Sequence, residues 1–159
     1  MSGVVTRPFT PLILGISGAA SSITGTASET TLATVVVPGG MMGPNGALRI
    51  WSLWSYTNSA NGKTLRIRLN GLGTQAIMGA NVSTSGVYSD IRYVFNNNAN
   101  NSQKAWQFSA LGGTSISTTT TTASIDTTAA ISLVFTGNLT NTGETITLES
   151  YCVELLRRG

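Results

Sequence analysis

The chain has 159 residues, of which 41% are hydrophobic, only 9% are charged and none is histidine. This length fits one domain, and the hydrophobic content excludes an intrinsically disordered protein. The net charge of +3 falls far short of the clustered basic stripe that binds nucleic acid, and no apolar run approaches the ~20 residues of a membrane span.

The low charge itself indicates how the protein is used. A typical soluble domain spends about a quarter of its residues on Asp, Glu, Lys and Arg, and a free monomer needs such charge to stay apart from its own copies. Here Thr, Ser, Asn and Gly take that place. We therefore expect a subunit that is packed against neighbours in an assembly.

The first 28 residues differ from the rest of the chain. Pro8 and Pro11 favour extended backbone, and residues 17–28 are mostly small, with no apolar period. We predict an extended N-terminal arm over residues 1–28, followed by a single domain over residues 29–159.

From residue 30 onward, apolar residues alternate with polar ones, which is typical of β-strands. About eight strands are predicted, at 32–37, 47–56, 63–70, 87–95, around Trp106 and Phe108, and at 116–125, 131–135 and 145–155. Residues 47–56 carry apolar side chains at both odd and even positions, as expected of a strand that is central or covered by a partner. In the strand at 87–95 we expect Val87, Ile91, Tyr93 and Phe95 to point inward.

No stretch shows a helical period, and residues 126–130 could form at most one helical turn, capped by Asp126. Regularly spaced strands with Gly- and Asn-rich turns predict an all-β protein. The expected fold is an antiparallel, jelly-roll-like β-sandwich.

The composition argues against an enzyme or a metalloprotein. Without histidine there is no imidazole base, Ser-His-Asp triad or imidazole ligand, and the single Cys152 cannot build a thiolate zinc site or an internal disulfide. We predict no catalytic residues, no metal and no cofactor.

Carboxylates are the remaining candidates for catalysis. Glu144, Glu149 and Glu154 are spaced five apart, so consecutive members should point to opposite faces of one strand, and Glu144 and Glu154 should lie about 33 Å apart. Glycosidase carboxylates lie within about 10 Å of each other. A pair formed across strands with Asp90 or Asp126 stays open as an alternative.

Other motifs have structural explanations. Residues 61–64 end like a phosphate-binding loop, but Thr57 stands where that loop needs glycine, and a strand follows where it needs a helix. Trp51 and Trp54 should face opposite sides of their strand, so core or subunit contact is favoured over ligand stacking. Arg66 and Arg68 share one polar strand face, which is either solvated or able to bind an acidic partner.

Five segments resemble small virion proteins of tailed bacteriophages. They are residues 43–50, 53–61, 63–68, 126–130 and 143–151. The resemblance covers about two-thirds of the chain, between residues 30 and 155, and does not include the arm. It implies a β-sandwich that decorates or cements a capsid, or serves as a head-fibre or tail component, and it brings no catalytic residues.

We therefore expect a non-enzymatic virion protein on the capsid surface that bridges major capsid subunits. Self-association into a homotrimer or another small homo-oligomer is also expected, with no nucleic-acid or membrane partner. The alternative is a head-fibre or tail adsorption component that binds host surface glycans. The residues expected to bind partners are Arg7, Pro8, Phe9, Leu12, Ile13, Arg66 and Arg68.

Overall fold

A computed structural model describes residues 11–107 and 121–156. These residues form eleven strands and no helix. The strands are β1 (Leu12–Ser17), β2 (Ser21–Ile23), β3 (Thr30–Val37), β4 (Ala47–Tyr56), β5 (Lys63–Leu69), β6 (Ala76–Val82), β7 (Val87–Asn96), β8 (Gln103–Gln107), β9 (Thr121–Ala123), β10 (Ile131–Leu139) and β11 (Ile146–Leu156).

The strands form two antiparallel sheets that pack face to face. The larger sheet has the order β1-β11-β4-β7-β8-β9, and β2 also pairs with β11; the smaller sheet has the order β3-β10-β5-β6. The predicted all-β, antiparallel, jelly-roll-like sandwich is confirmed. In the described part of the chain, no helix is long and apolar enough to cross a membrane.

The core lies between the sheets and is built from inward-facing alternate residues. In β5, Leu65, Ile67 and Leu69 are buried, as the alternation predicts. Across the core, the Phe135 ring of β10 lies 6.3 Å from the Trp54 ring of the larger sheet and 4.9 Å from that of Tyr151. Such aromatic contacts between the layers add to the apolar burial that holds the sandwich together.

Residues 11–28 are not a free arm. β1 pairs with the second half of β11, from Leu155 to Tyr151, and β2 pairs with its first half. Gly15 packs so closely on β3 that a Cβ there would lie 2.8 Å from a Val35 methyl carbon. The prediction of extended backbone is correct for the two strands, but they belong to the sandwich.

The face assigned to β7 is reversed relative to the prediction. Val94, Asp90 and Arg92 point inward and are buried, and the Arg92 Nε lies 3.3 Å from Asp90 Oδ2. The alternate residues point outward, and both Val87 and Phe95 are exposed. The apolar period of this strand therefore covers the outer surface of the larger sheet, and its inner face carries the polar residues Asp90 and Arg92 together with Val94.

The remaining differences are one strand that was not predicted and one turn. β6 was not predicted, because its sequence carries Gly79 and Ala80 and shows no clean alternation. Residues 127–129 form a turn without helix, and the Asp126 carboxylate accepts hydrogen bonds from the Thr128 backbone N–H (2.9 Å) and hydroxyl (2.7 Å). Phe108 and the first half of the strand predicted at 116–125 lie outside the described residues, and β9 lies within its second half.

Candidate functional site

The outer face of the larger sheet is built from rows of side chains that cross several strands. Residues directly opposite each other in an antiparallel ladder point to the same side, so the register defines these rows. One row runs Ile13, Glu154, Arg49, Tyr93, Trp106 through β1, β11, β4, β7 and β8. The next row runs Ile16, Cys152, Trp51, Ile91. We call this surface the outer face.

Most of the exposed large hydrophobic residues of the described chain lie on the outer face. Seven of the ten are found there: Ile13, Ile16, Trp51, Leu53, Val87, Phe95 and Trp106. Trp51 is 48% exposed and Trp106 is 57% exposed. Single exposed apolar residues are ordinary on a protein surface, whereas a contiguous apolar patch marks a site of interaction.

The charges at the centre of the outer face neutralise each other. The Arg49 guanidinium donates to the Glu154 carboxylate and lies 5.9 Å from the Trp51 ring centroid. Hydrogen bonding to Glu154, and then to Tyr93, raises the pKa of Arg49. Because the pair is internal, it fixes the orientation of Trp51 and Tyr93 and leaves no net charge for an ionic partner.

A depression of about 540 Å³ opens on the outer face beside Trp51. Its lining includes the apolar residues Ile16, Leu53, Ile91 and Cys152, several serines, and Asp90. Burial raises the pKa of the Cys152 thiol, so this sulfur behaves as a small apolar group. The depression is of a size to admit apolar side chains or a small apolar ligand.

The carboxylates do not form a catalytic pair. A register shift between Leu148 and Ser150 in β11 reverses the alternation, so Glu149 and Glu154 both lie on the outer face, contrary to the parity argument. They contact Ser55 and Arg49 respectively, which are six residues apart on β4 and hence about 20 Å apart. This separation is too large for Glu149 and Glu154 to act together as the acid and base of a glycosidase-type catalytic pair.

Glu144 is part of a buried ion pair. The Lys63 Nζ, which is fully buried, lies 2.7 Å from Glu144 Oε2, and Asn61 Nδ2 donates to Oε1 at 2.7 Å. The hydrogen bond from Lys63 is the largest of the effects that lower the pKa of Glu144 to about 2, and hydrogen bonds from Ser59 and Asn61 add to it. The lysine that resembled a phosphate-binding residue thus closes the turn between β4 and β5.

No group of three or more Cys, Asp and Glu that could hold a metal ion occurs within residues 11–107 and 121–156. Asp90 is buried on β7 beside Arg92, whereas Asp126 is exposed in a turn. The Asp90 and Asp126 carboxylates therefore face different surroundings, and neither is brought to the glutamates of the outer face.

The structure separates the residues predicted to bind partners. Arg7, Pro8 and Phe9 lie outside the described residues. Leu12 and Ile13 are exposed on the edge strand β1, and Ile13 belongs to the outer face.

Arg66 and Arg68 lie on the opposite side of the sandwich, on the smaller sheet. Arg68 donates through Nε (2.7 Å) and Nη2 (2.8 Å) to the Glu29 carboxylate, and Arg66 Nη1 lies 3.4 Å from it. The acidic group that binds these arginines is therefore in the same chain.

Sequence reasoning missed the outer face as a site because its members come from five strands. The prediction that Trp51 and Trp54 face opposite sides is confirmed, since Trp54 is fully buried. The available signal was that residues 47–56 are apolar at both odd and even positions. This pattern indicated a strand that is central or covered by a partner, but it did not indicate which other strands contribute to the surface.

The sequence matches no model of a protein family and no curated protein. Its fold is similar to solved β-sandwich structures at low sequence identity. Polysaccharide lyase family 18 aly-SJ02 aligns with 10% identity and a TM-score of 0.43, covering 89% of this chain and 90% of that one.

An infectious bursal disease virus structure (Gt strain) aligns with 9% identity and a TM-score of 0.44, covering 99% and 38% of the two chains. The CBM2 module of the Lactobacillus casei BL23 phage J-1 evolved Dit aligns with 10% identity and a TM-score of 0.42, covering 79% and 69%. These likenesses concern the fold alone.

Proposed function

We propose that the protein is a structural subunit of a bacteriophage virion, which decorates the capsid surface and cements it by bridging major capsid subunits. The outer face is the observation that carries this proposal. Seven large apolar side chains on one side of a small, weakly charged domain favour a protein that works with this side covered.

The proposed mechanism is thermodynamic. A protein that binds the assembled shell, and not its dissociated subunits, stabilises the shell by mass action. No catalytic group is required, in keeping with separate, internally paired carboxylates on the described residues.

We assign the shell contact to the N-terminal residues Arg7, Pro8, Phe9, Leu12 and Ile13. Leu12 and Ile13 support this assignment, because both are exposed on an edge strand, where Ile13 forms the end of one row of the outer face. A contribution from Arg66 and Arg68 would require an acidic partner to displace Glu29, which already neutralises them.

Mass spectrometry of gradient-purified particles tests the proposal. Full particles and tail-less heads should contain the protein at hundreds of copies, as expected for a component that repeats over a shell. A handful of copies that disappear with the tail would contradict cementing, and absence from both preparations would contradict a virion role.

A second candidate is a head-fibre or tail component that binds host surface glycans. The specific observation in its favour is that the exposed Trp51 and Trp106 and the half-buried Tyr93 share the outer face, and aromatic rings of this kind can stack on sugars. A glycan array would show a consistent sugar, with binding lost in Trp106→Ala and kept in Val36→Ala, whose side chain lies on the smaller sheet. No sugar bound above background would exclude this candidate.

A further inference from the structure

We infer that the outer face is the contact between two copies of this chain, which pair larger sheet to larger sheet about a two-fold axis. The inference uses the same surface as the proposed function, which requires only that the outer face be covered, and it is tested separately on the isolated protein. It assigns an occupant to the apolar surface, and three properties of that surface support it: its size, its charge and its relief.

The size of the outer face matches what a stable dimer requires. Five strands (β1, β11, β4, β7 and β8) contribute, and at a spacing of about 4.8 Å they span roughly 24 Å. The five strands have 6, 11, 10, 10 and 5 residues, each of which rises about 3.3 Å along its strand. The resulting area of roughly 670 Å² lies within the usual range for the contribution of each partner to a specific interface, which is about 600–1,000 Å².

The charge of the outer face indicates a neutral partner. At its centre Arg49 is paired with Glu154, and its opposite ends carry one further charge of each sign, Lys104 beside Phe95 and Glu149 beside Ser55. The described residues of the face therefore carry no net charge, so an acidic or basic partner would gain little from it. A neutral, apolar surface is its complement, and the same face on a second copy is such a surface.

The other side of the sandwich does not offer this complement. Its strand β5 presents Thr64, Arg66 and Arg68, and covering the two arginines and Glu29 with apolar groups would remove their solvation. An isologous contact, in which both copies use the same patch, is the commonest arrangement in homo-oligomers. The outer face therefore fits a symmetric pairing with itself better than a pairing with the smaller sheet.

The relief of the outer face also suits sheet-to-sheet packing. Sheets that pack face to face interdigitate their side chains at about 10 Å separation. The outer face has the depression beside Trp51 and, around it, protruding side chains such as Ile16, Val87 and Trp106. A protruding residue of one copy thus has a cavity in the other copy to enter.

Sedimentation velocity of the full chain with two matched variants tests the inference. Val87 on the outer face is 61% exposed and Val36 on the smaller sheet is 59% exposed. A lysine at either position should therefore reduce folding stability little, and the two variants differ in the side of the sandwich that carries the lysine. The wild type and Val36→Lys should sediment as dimers at micromolar concentration. Val87→Lys should dimerise at least tenfold more weakly, because the pairing would bury two unpaired ammonium groups.

Ile16→Lys, at the other margin of the outer face, provides a second variant should Val87→Lys fail to fold by circular dichroism. A monomeric wild type, a trimer, or a dimer that Val36→Lys dissociates and the outer-face variants do not would each overturn the inference. A dimeric protein that is absent from virions would overturn the proposed function and leave the inference standing.

Tryptophan fluorescence gives an independent readout on the wild type. Trp51 and Trp106 lie on the outer face, whereas Trp54 is buried in the core. Dilution that dissociates the dimer should increase acrylamide quenching of the two outer tryptophans. Quenching that stays constant through the sedimentation transition would place the contact elsewhere.

Discussion

Glu29 is the residue that joins the segment before β3 to the outer side of the smaller sheet. Its carboxylate accepts a two-pronged hydrogen bond from Arg68 and a hydrogen bond from the Thr136 hydroxyl, and Arg66 lies close by. Hydrogen bonding by Arg68, opposed by burial and assisted by Thr136, lowers the pKa of Glu29 to about 2. Such two-pronged contacts are among the strongest ion pairs near a protein surface.

We expect Glu29→Gln to lower stability at neutral pH by about 1–2 kcal/mol, since the pair is partly screened by solvent. The folded pKa of about 2 lies below the ordinary value of 4.5. The stabilisation is therefore complete above pH 4.5 and is lost as the pH falls towards 2. Thermal unfolding from pH 7 to 2 should show the two proteins differing at pH 7 and converging near pH 2.

Glu149→Gln is a matched control for this experiment, because the structure gives Glu149 a hydroxyl contact with Ser55. It removes the same charge without removing an arginine contact, so its loss of stability at pH 7 should be smaller than that of Glu29→Gln. A constant difference between Glu29→Gln and wild type at every pH would contradict the role of the ionised carboxylate.

At the scale of the strand, the sequence predicts elements whose alternation is uninterrupted. β4 spans the predicted residues 47–56, and β5 ends one residue before its predicted limit. β1 and β11 carry register shifts, between Ile13 and Gly15 and between Leu148 and Ser150. A register shift reverses which residues face the core, and no local pattern in the sequence indicates where it falls.

The pairing of β1 with β11 has a direct test, because the chain contains one cysteine. Ile16 lies opposite Cys152 in the ladder and is 68% exposed. We expect Ile16→Cys to form an intramolecular disulfide on mild oxidation and to gain about 2–4 kcal/mol of stability, since the bridge closes a long loop. Non-reducing electrophoresis and mass spectrometry would show a monomer two mass units lighter.

Ile13→Cys is the control for this disulfide. Ile13 lies opposite Glu154, one row away from the cysteine, so this variant should stay reduced under the same conditions. Disulfide formation by Ile13→Cys in place of Ile16→Cys would show that the register of β1 is different.

The loops at one end of the sandwich depend on a buried amide network. Gln103 on β8 donates to Asn96 Oδ1 (2.9 Å) and to the Ile125 carbonyl (2.9 Å), and it accepts from the Ile125 N–H (2.8 Å). Asn96 in turn donates to the Gly43 carbonyl and to the Thr127 hydroxyl. Two side chains thereby connect the loops that precede β4, β8 and β10.

We expect Gln103→Leu to cost about 2–3 kcal/mol, because it leaves buried polar partners without hydrogen bonds. Denaturant unfolding would measure the loss, and hydrogen exchange should quicken at the Ile125 amide. Gln75→Leu, in an exposed turn, is the control and should change neither quantity. Unchanged stability in Gln103→Leu would show that the network holds no net free energy.

At the scale of the whole molecule, composition and strand pattern were sufficient to predict the fold class but not the surface that matters. The low charge predicted a covered subunit, yet Val87, Ile91, Tyr93 and Phe95 were expected inside. A strand with period two has two faces, and which one becomes the core depends on the side that the second sheet covers. That choice places Asp90 and Arg92 inside and leaves Val87 and Phe95 exposed on the outer face.

Pairing through the outer face makes the stability of the whole molecule depend on its concentration. Because only the folded chain can pair, dimerisation stabilises the folded state by mass action. Above the dissociation constant, each tenfold increase in concentration adds about 0.7 kcal/mol per chain, which corresponds to a rise of about 2 °C in Tm at this chain length.

Scanning calorimetry over two decades of concentration should therefore show Tm rising for the wild type and for Val36→Lys, and beginning to rise only at a concentration at least tenfold higher for Val87→Lys. The Val87→Lys protein should melt at the Tm that the wild type approaches on dilution, because an exposed valine contributes little to the fold itself. A wild-type Tm that does not change with concentration would contradict the dimer. A concentration-dependent Tm in Val87→Lys equal to that of the wild type would place the contact on another surface.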